Sequence, residues 1–420
     1  MLAINQAGGG PVEGVPGTSQ QIQQELQLDG RAWDDRLSFV AGAFGFWEDA
    51  TRGNTVYAPG VPNATESEIS VDNWTWALFG QTTAEVTDWL SLTAGLRYSE
   101  DKKGARQINR NVLLPPETPP TRDGSGRQVF NAWTPMGSIA VSAPEDLLDG
   151  TELDHLMGYF TYARGFKGGG FNAVIDPSAE GNQLEPFGPE TLDSFEIGIK
   201  SVAFEQRLTV NLAIFQSAYA DIQQTVTDAT ELPDGTISVR RLTLNAAEAM
   251  IRGFEAELQV VPLEGLRISG TLGYMDARFD SFPGAIDSIT GEVIDRAGQT
   301  LNNSPSLQTF IAVQYAVPVN FPVQPWLRGW LTPRLEWAYR SRFHVSGPET
   351  WALEQSGYNL LNARLSYDFL DDRASVALWG RNLINQLHFD TGLDLGRTFG
   401  SVRRAWEAPR TFGGELSYAF

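Results

Sequence analysis

The chain has 420 residues, 42% of them apolar, a formal net charge of -20 and no Cys. The missing Cys excludes disulfides, thiolate metal sites and Cys nucleophiles, and the acid excess argues against nucleic acid and against a polybasic membrane anchor. No run approaches the ~18 apolar residues of a membrane helix. The most apolar stretch, 310–323, is broken by Gln314, Pro318, Asn320 and Pro322. A helical membrane protein is therefore excluded, whereas a transmembrane barrel, in which only alternate residues need be apolar, is not.

The opening stretch MLAINQAGGGPVEGVPGTSQ has neither a basic n-region nor an apolar h-region, so no signal peptide is read in this chain. Residues 1–21 are expected to be the remnant of an extracellular loop, and 22–420 a single partial barrel. From Ile22 on, a period of two recurs, which is the mark of a strand with one apolar face. Leu90, Leu92, Ala94, Leu96 and Tyr98 face one way, with Ser91, Thr93, Gly95 and Arg97 between them. Leu208, Val210, Leu212 and Ile214 alternate with Arg207, Thr209, Asn211 and Ala213, and Leu266, Ile268, Leu272 and Tyr274 with Arg267, Ser269, Thr271 and Gly273. Leu331, Leu335, Trp337 and Tyr339 alternate with Thr332, Arg334, Glu336 and Arg340. Such runs reach roughly ten to fifteen residues, longer than an average soluble strand and long enough to cross a bilayer at a tilt.

The connections sort into two kinds. Short ones are expected at 30–35, 86–88, 144–152, 203–206, 262–265, 318–325 and 370–373. Long ones are expected at 49–73, 102–127, 167–190, 221–239, 281–304, 343–356 and 387–404. They alternate in chain order, as strands that descend and ascend between periplasmic turns and extracellular loops would require. Counting by this alternation gives about 15 strands. Residues 240–261 read as one bulged strand, bent near 250–253. The last strand descends, and so does the first visible one, which puts Met1 outside the cell. An odd number starting outside describes an incomplete barrel.

Aromatic residues crowd the strand ends: Trp74, Trp76, Trp89, Tyr98, Trp326, Trp337, Tyr339, Trp406 and Tyr418, the placement of an interfacial girdle. Only Lys102, Lys103, Lys167 and Lys200 among the 31 cations are lysines. The Arg excess either lines a polar interior with forked contacts or reflects codon usage. The ending WEAPRTFGGELSYAF places Phe412, Gly414, Leu416, Tyr418 and Phe420 on one face, which resembles the terminal strand of bacterial outer-membrane barrels, where the last Phe belongs to the assembly signal.

No catalytic constellation emerges. His155, His344 and His388 are far apart, and no metal spacing such as HExxH occurs. Glu145–Asp146 and Asp371–Asp372 read as turn acids. Asp276, Asp280, Asp287, Glu292 and Asp295 do not follow a Ca²⁺-loop spacing. The glycines of YARGFKGGGFN, Tyr162 to Asn172, do not follow phosphate-loop spacing, and suit a sharp turn or close backbone approach at a barrel rim. Neither a cofactor nor a metal is expected. A soluble binding protein or glycan hydrolase would need an internal repeat or a carboxylate pair in a cleft, and neither is visible.

YARGFKGGGFN is similar to the RGF–GGFN signature of TonB-dependent outer-membrane receptors. Arg164, Gly165, Phe166, Gly169, Gly170, Phe171 and Asn172 carry the resemblance. QELQL (24–28), LSLTAGLRY (90–98), LDSFEIGIK (192–200), IRGFEAEL (251–258), GRNLIN (380–385) and the C-terminal segment follow in family order. The resemblance implies an all-β, transmembrane antiparallel barrel, of whose 22 strands about 15 are present, and a plug domain that this sequence does not display. It implies uptake of a scarce ligand, most often a ferric siderophore, energised by the TonB complex through a region ahead of the plug. Outer-membrane lipid and the barrel-assembly machinery, which would read Phe420, are the further partners. The alternatives are a plug-less passive diffusion channel and a non-functional receptor fragment. An aromatic or anionic chelate asks for Arg and aromatic groups near the loops, so Arg340, Arg342, His344, Trp351, His388, Arg403, Arg404 and Trp406 are the candidate ligand contacts.

Overall fold

The computed structural model describes residues 17–57, 64–115, 117–175, 183–231, 237–286, 292–322, 324–346, 351–395 and 401–420. One antiparallel sheet organises them. Its strands are β1 (Thr18–Ala32), β2 (Leu37–Tyr57), β3 (Ala64–Thr87), β4 (Leu90–Asn111), β5 (Arg122–Ser142), β6 (Leu153–Lys167), β7 (Glu190–Ala203) and β8 (Leu208–Glu231). They continue with β9 (Ile237–Leu263), β10 (Leu266–Ser281), β11 (Leu307–Tyr315), β12 (Gly329–Arg340), β13 (Tyr358–Phe369), β14 (Ala374–Arg381) and β15 (Thr411–Tyr418). Each pairs with the next in sequence, giving fifteen strands in one unbroken meander, and Val317–Val319 joins β12 from the side. This matches the expected number. The recorded partner of β1 is β2 and that of β15 is β14.

The period of two becomes a two-faced wall. Leu78, Ile197, Ile214 and Leu378 stand on the apolar face, 56%, 58%, 63% and 63% exposed. The other face carries Arg97, Glu196, Lys200, Glu255, Arg334 and Arg364. A compact soluble protein of 46.1 kDa would expose about 16,000 Å², whereas this chain exposes 25901 Å². The sheet is not wrapped round a core of its own, and its apolar face requires a lipid environment. Trp76, Tyr98 and Trp133 stack side by side across β3, β4 and β5, with ring centroids 5.4 and 4.8 Å apart, at one edge of the apolar band. Trp89, Trp326 and Tyr418 stand exposed near its other edge.

At one end the strands reverse in tight turns. Trp33, Asp34 and Asp35, then Phe204, Glu205 and Gln206, then Leu370, Asp371 and Asp372 all take positive φ. Three successive left-handed residues close a hairpin without a glycine, and Asp tolerates that region better than most residues. Glu145, expected in a turn, instead opens the short helix Glu145–Leu148 within one of these connections.

At the other end several expected loops prove to be strand. β2 with β3, β4 with β5 and β8 with β9 stay paired well beyond the aromatic rings, to Tyr57↔Ala64, Asn109↔Arg122 and Glu231↔Ile237. The β2–β5 extensions are mostly polar, with Ile108 and Phe130 among their few buried apolar side chains, so their pairing rests largely on backbone hydrogen bonds. β9 is a single strand, as expected, but its irregularity lies earlier than 250–253. The register with β8 shifts between Tyr219 and Gln223, where Asp221 takes φ 56. The first strand opens at Thr18, a few residues ahead of Ile22, and the last ends at Tyr418, with Phe420 beyond it.

The buried apolar clusters lie at this second end. Ile222, Ala247, Ala249, Phe279, Phe282 and Ala285 form one, and Phe343, Val345, Leu353, Tyr358 and Phe389 form the other. The molecule concentrates its close packing where the long connections meet.

Candidate functional site

The YARGFKGGGFN segment leaves the top of β6 and enters a small hairpin, Gly170–Ile175 with Leu184–Phe187. The wall needs it there. β5 pairs with β6 only from Met136↔Ala163 to Ser142↔Met157, although β5 itself continues up to Arg122. The hairpin closes the resulting gap. Gln183 bridges to Ser125 on the free edge of β5. The Phe171 ring lies where a side chain on Gly126 would stand, and Phe130 and the Phe187 carbonyl occupy the space of a Cβ on Gly169. Only glycine fits at positions approached this closely by backbone.

Polar contacts fasten the hairpin on both flanks. Lys103 Nζ donates to the Gly169 carbonyl at 2.8 Å. On the far side the buried Asn172 amide donates to Thr243 O at 3.0 Å and accepts from Thr243 N at 2.6 Å, which mimics one rung of a sheet. Asn245 Nδ2 donates to the Gly188 and Asp221 carbonyls, and Gln223 Nε2 to those of Gly168 and Gly188. The signature segment thus spans from β4 and β5 to β8 and β9, over the tops of β6 and β7. Arg164 has a different place. Its guanidinium grips Asp193 at 2.8 and 2.7 Å, and Tyr162 Oη donates to the same carboxylate at 2.7 Å, a clasp between β6 and β7.

The second knot joins residues 341–346 and 351–357 to 386–395 and 401–407. His344 Nε2 and Arg342 Nη1 approach Glu354 Oε2 at 3.5 and 3.8 Å. His388 is buried and stacks on Tyr358, centroids 4.4 Å apart. Phe389 sits at the centre, with Trp406 edge-on at 5.4 Å and the Arg404 guanidinium over its ring at 5.0 Å. Arg404 Nε also donates to Ala352 O at 2.8 Å, and Phe389 N to Gln355 Oε1 at 2.9 Å. Of the expected ligand contacts, Arg342, His344, His388, Arg404 and Trp406 therefore converge, but His388 and Arg404 are engaged in packing the loops. Trp406, expected in the girdle, belongs instead to the loop hairpin Phe389–Leu395 with Ser401–Trp406. Arg403 lies exposed on that hairpin, Arg340 at the top of β12, and the Trp351 side chain lies outside the described ones.

Among the described residues no cluster of three acids or histidines could hold a metal ion. Asp276 pairs with Arg278 at 2.7 Å, Asp295 Oδ1 accepts from Phe282 N and Ala297 N, and Asp287 lies outside the described residues. Between the β2–β5 extensions and the signature hairpin lies a cavity of about 690 Å³, lined by Asp49, Asp72, Arg106, Arg127 and Phe171 among others. Sequence reasoning missed it, because its walls come from stretches read as loops. Above the aromatic rings Arg106 forks onto Asp123 at 2.9 and 2.7 Å and holds that carboxyl below its ordinary range.

The family model described as "TonB dependent receptor-like, beta-barrel" matches residues 6–383. A curated relative, the ferric-pyoverdine M114 receptor PbuA of Pseudomonas sp. (strain M114), is 27% identical over 285 residues, covering 64% of this chain and 28% of the relative. Among solved structures, the ferric yersiniabactin uptake receptor FyuA of Yersinia pestis superposes with a TM-score of 0.75 at 20% identity, over 96% of this chain and 55% of that one. The siderophore receptor PiuA of Acinetobacter baumannii gives 0.66 at 17%, over 96% and 56%. At such identities the structural likeness is one of fold, and the chain spans about half of either receptor. Because the matched family segment takes in most of the sequence, the chain belongs to the TonB-dependent receptor-like β-barrel family.

Proposed function

We propose that the chain is the barrel portion of an outer-membrane receptor that takes up a scarce ligand, a ferric siderophore, with energy drawn from the TonB complex by the whole receptor. The observation that carries this reading is the family match over most of a wall whose apolar face suits lipid. By their names, the relatives above are receptors for ferric pyoverdine, ferric yersiniabactin and siderophores, and the family is one of transport receptors rather than enzymes. Phe420 lies exposed beyond the last strand, its ring edge-on to Tyr418 at 5.2 Å, and it is the residue the assembly machinery would read.

Ligand contact falls to the exposed members of the candidate set, Arg340, Arg342, Arg403 and Trp406. His388 and Arg404 hold the loops that present them. Guanidinium groups beside an indole suit an anionic, aromatic chelate. The test is equilibrium binding of a panel of labelled ferric siderophores to membranes carrying the protein. One panel member should bind, and the paired change Arg342→Ala, Arg403→Ala should weaken it about a hundredfold, the size of two charge-assisted contacts. Failure of every siderophore to bind, together with a large steady conductance in planar bilayers, would turn the reading toward a passive diffusion channel.

A further inference from the structure

We propose that the polar face of β12–β15 holds a seat for a carboxylate group, built from Arg334, Arg364 and Arg381 around Trp379. Arg334 and Arg364 stand directly opposite each other in register. Like charges so placed destabilise a strand pair unless counter-charge is close by. Among the groups lining the recess counter-charge is present but one short, Glu415 acting on both Arg364 and Arg381 while Asp368 acts on Arg364 from outside it. Arg334 Nε meets Glu336 Oε1 at 2.7 Å, and Arg364 Nη2 meets Glu415 Oε2 at 2.7 Å. Arg381 makes no ion pair among the described residues and lies over the Trp379 ring at 5.2 Å. That ring is itself fixed, since it occupies the space a Cβ on Gly413 would take.

These groups line a recess of about 190 Å³. It has room for one carboxylate-bearing side chain or a small polycarboxylate and not for a whole metal chelate, which separates it from the ligand contacts proposed at the loops. Planar guanidinium groups bind carboxylates through paired donors, and the surplus of a single positive charge is met by one carboxylate group of the ligand. The steep excess of acid over the whole chain makes the local surplus more telling, because nothing about the average charge would place it here. Two sources share this chemistry: a free small carboxylate, and an Asp or Glu side chain of polypeptide lying within the barrel.

Arginine-specific labelling with phenylglyoxal, read by peptide mass mapping on the full chain in detergent, tests the seat. Citrate forms one arm; an Asp/Glu-rich peptide and its Asn/Gln analogue form the other. Arg364 and Arg381 should be protected by citrate or by the acidic peptide, whereas Arg328, exposed at a turn, stays reactive throughout. Protection in one arm only identifies the source. Arg381→Gln should raise the concentration that half-protects Arg364 about tenfold, and Glu415→Gln, which removes an internal competitor, should lower it. The proposal is overturned if neither carboxylate protects, or if protection ignores both substitutions.

Discussion

Two parts of the loop end are built on opposite plans. The β2–β5 extensions rise as long, mostly polar paired ribbons, with a turn at Leu113, 59% exposed, between β4 and β5. Over β12–β15 the strands stop early, and the connections fold down on one another around Leu353, 0% exposed, with Phe343 and Phe389. A ribbon keeps its shape through backbone hydrogen bonds spread along its length, so no single side chain decides it. The packed knot depends on a few apolar side chains, so each one matters. One end of one sheet thus holds a tolerant wall beside a sensitive rim.

Leu353→Ala should expose that contrast most strongly. A fully buried leucine truncated to alanine costs about 3 kcal/mol, enough to open 351–357 and 386–395 together in hydrogen exchange while β12 and β13 keep their protection. Leu113→Ala should stay within about 0.5 kcal/mol. Equal effects at the two sites would erase the distinction.

Asn172→Ala comes next. It leaves Thr243 N and O without their side-chain partner in a buried place, a loss of about 2 kcal/mol. Exchange should rise across 168–175 and 183–189 and at Thr243, and spare the rim. Unchanged protection there would mean that the glycine fit alone holds the hairpin.

The smallest effect belongs to the ribbons. Because Asp123 titrates below its ordinary 3.8 in the folded chain, its pair with Arg106 contributes above that ordinary value and is lost as pH falls through the lowered one. Both groups are well exposed, so screening keeps the effect small. Protection factors near Asn111 and Arg122, corrected for the pH dependence of intrinsic exchange, should fall modestly with acid, and Asp123→Asn should abolish that response.

The same contrast explains what the sequence revealed. Alternation in stretches such as 90–98 and 208–214 is legible because one face must be apolar for lipid, and the alternation of a turn end with a loop end survives, although the connections after β2, β4 and β8 are much shorter than expected because their flanks are strand. The ribbons were invisible because polar residues such as Ser67, Gln107 and Asn109 dominate them, leaving too few apolar positions to mark a strand. Gly253 drew the bend to the wrong place. It is flat in register, and its missing side chain makes room for the Phe215 ring. His344 and His388 looked like ligand contacts, yet each stands next to a phenylalanine of the rim core, Phe343 and Phe389, and that adjacency was the available signal for packing. The convergence of Asn172, Gln223 and Asn245 on one hairpin depends on long-range pairing that no local pattern records.

The central claim is that this wall has one face toward lipid and one toward water. The chain has no Cys, so single cysteines report cleanly. Leu335→Cys and Leu378→Cys should react in membranes only with a lipid-soluble maleimide, and Glu257→Cys and Glu415→Cys with a water-soluble one. Equal labelling of all four by the water-soluble reagent would contradict the account.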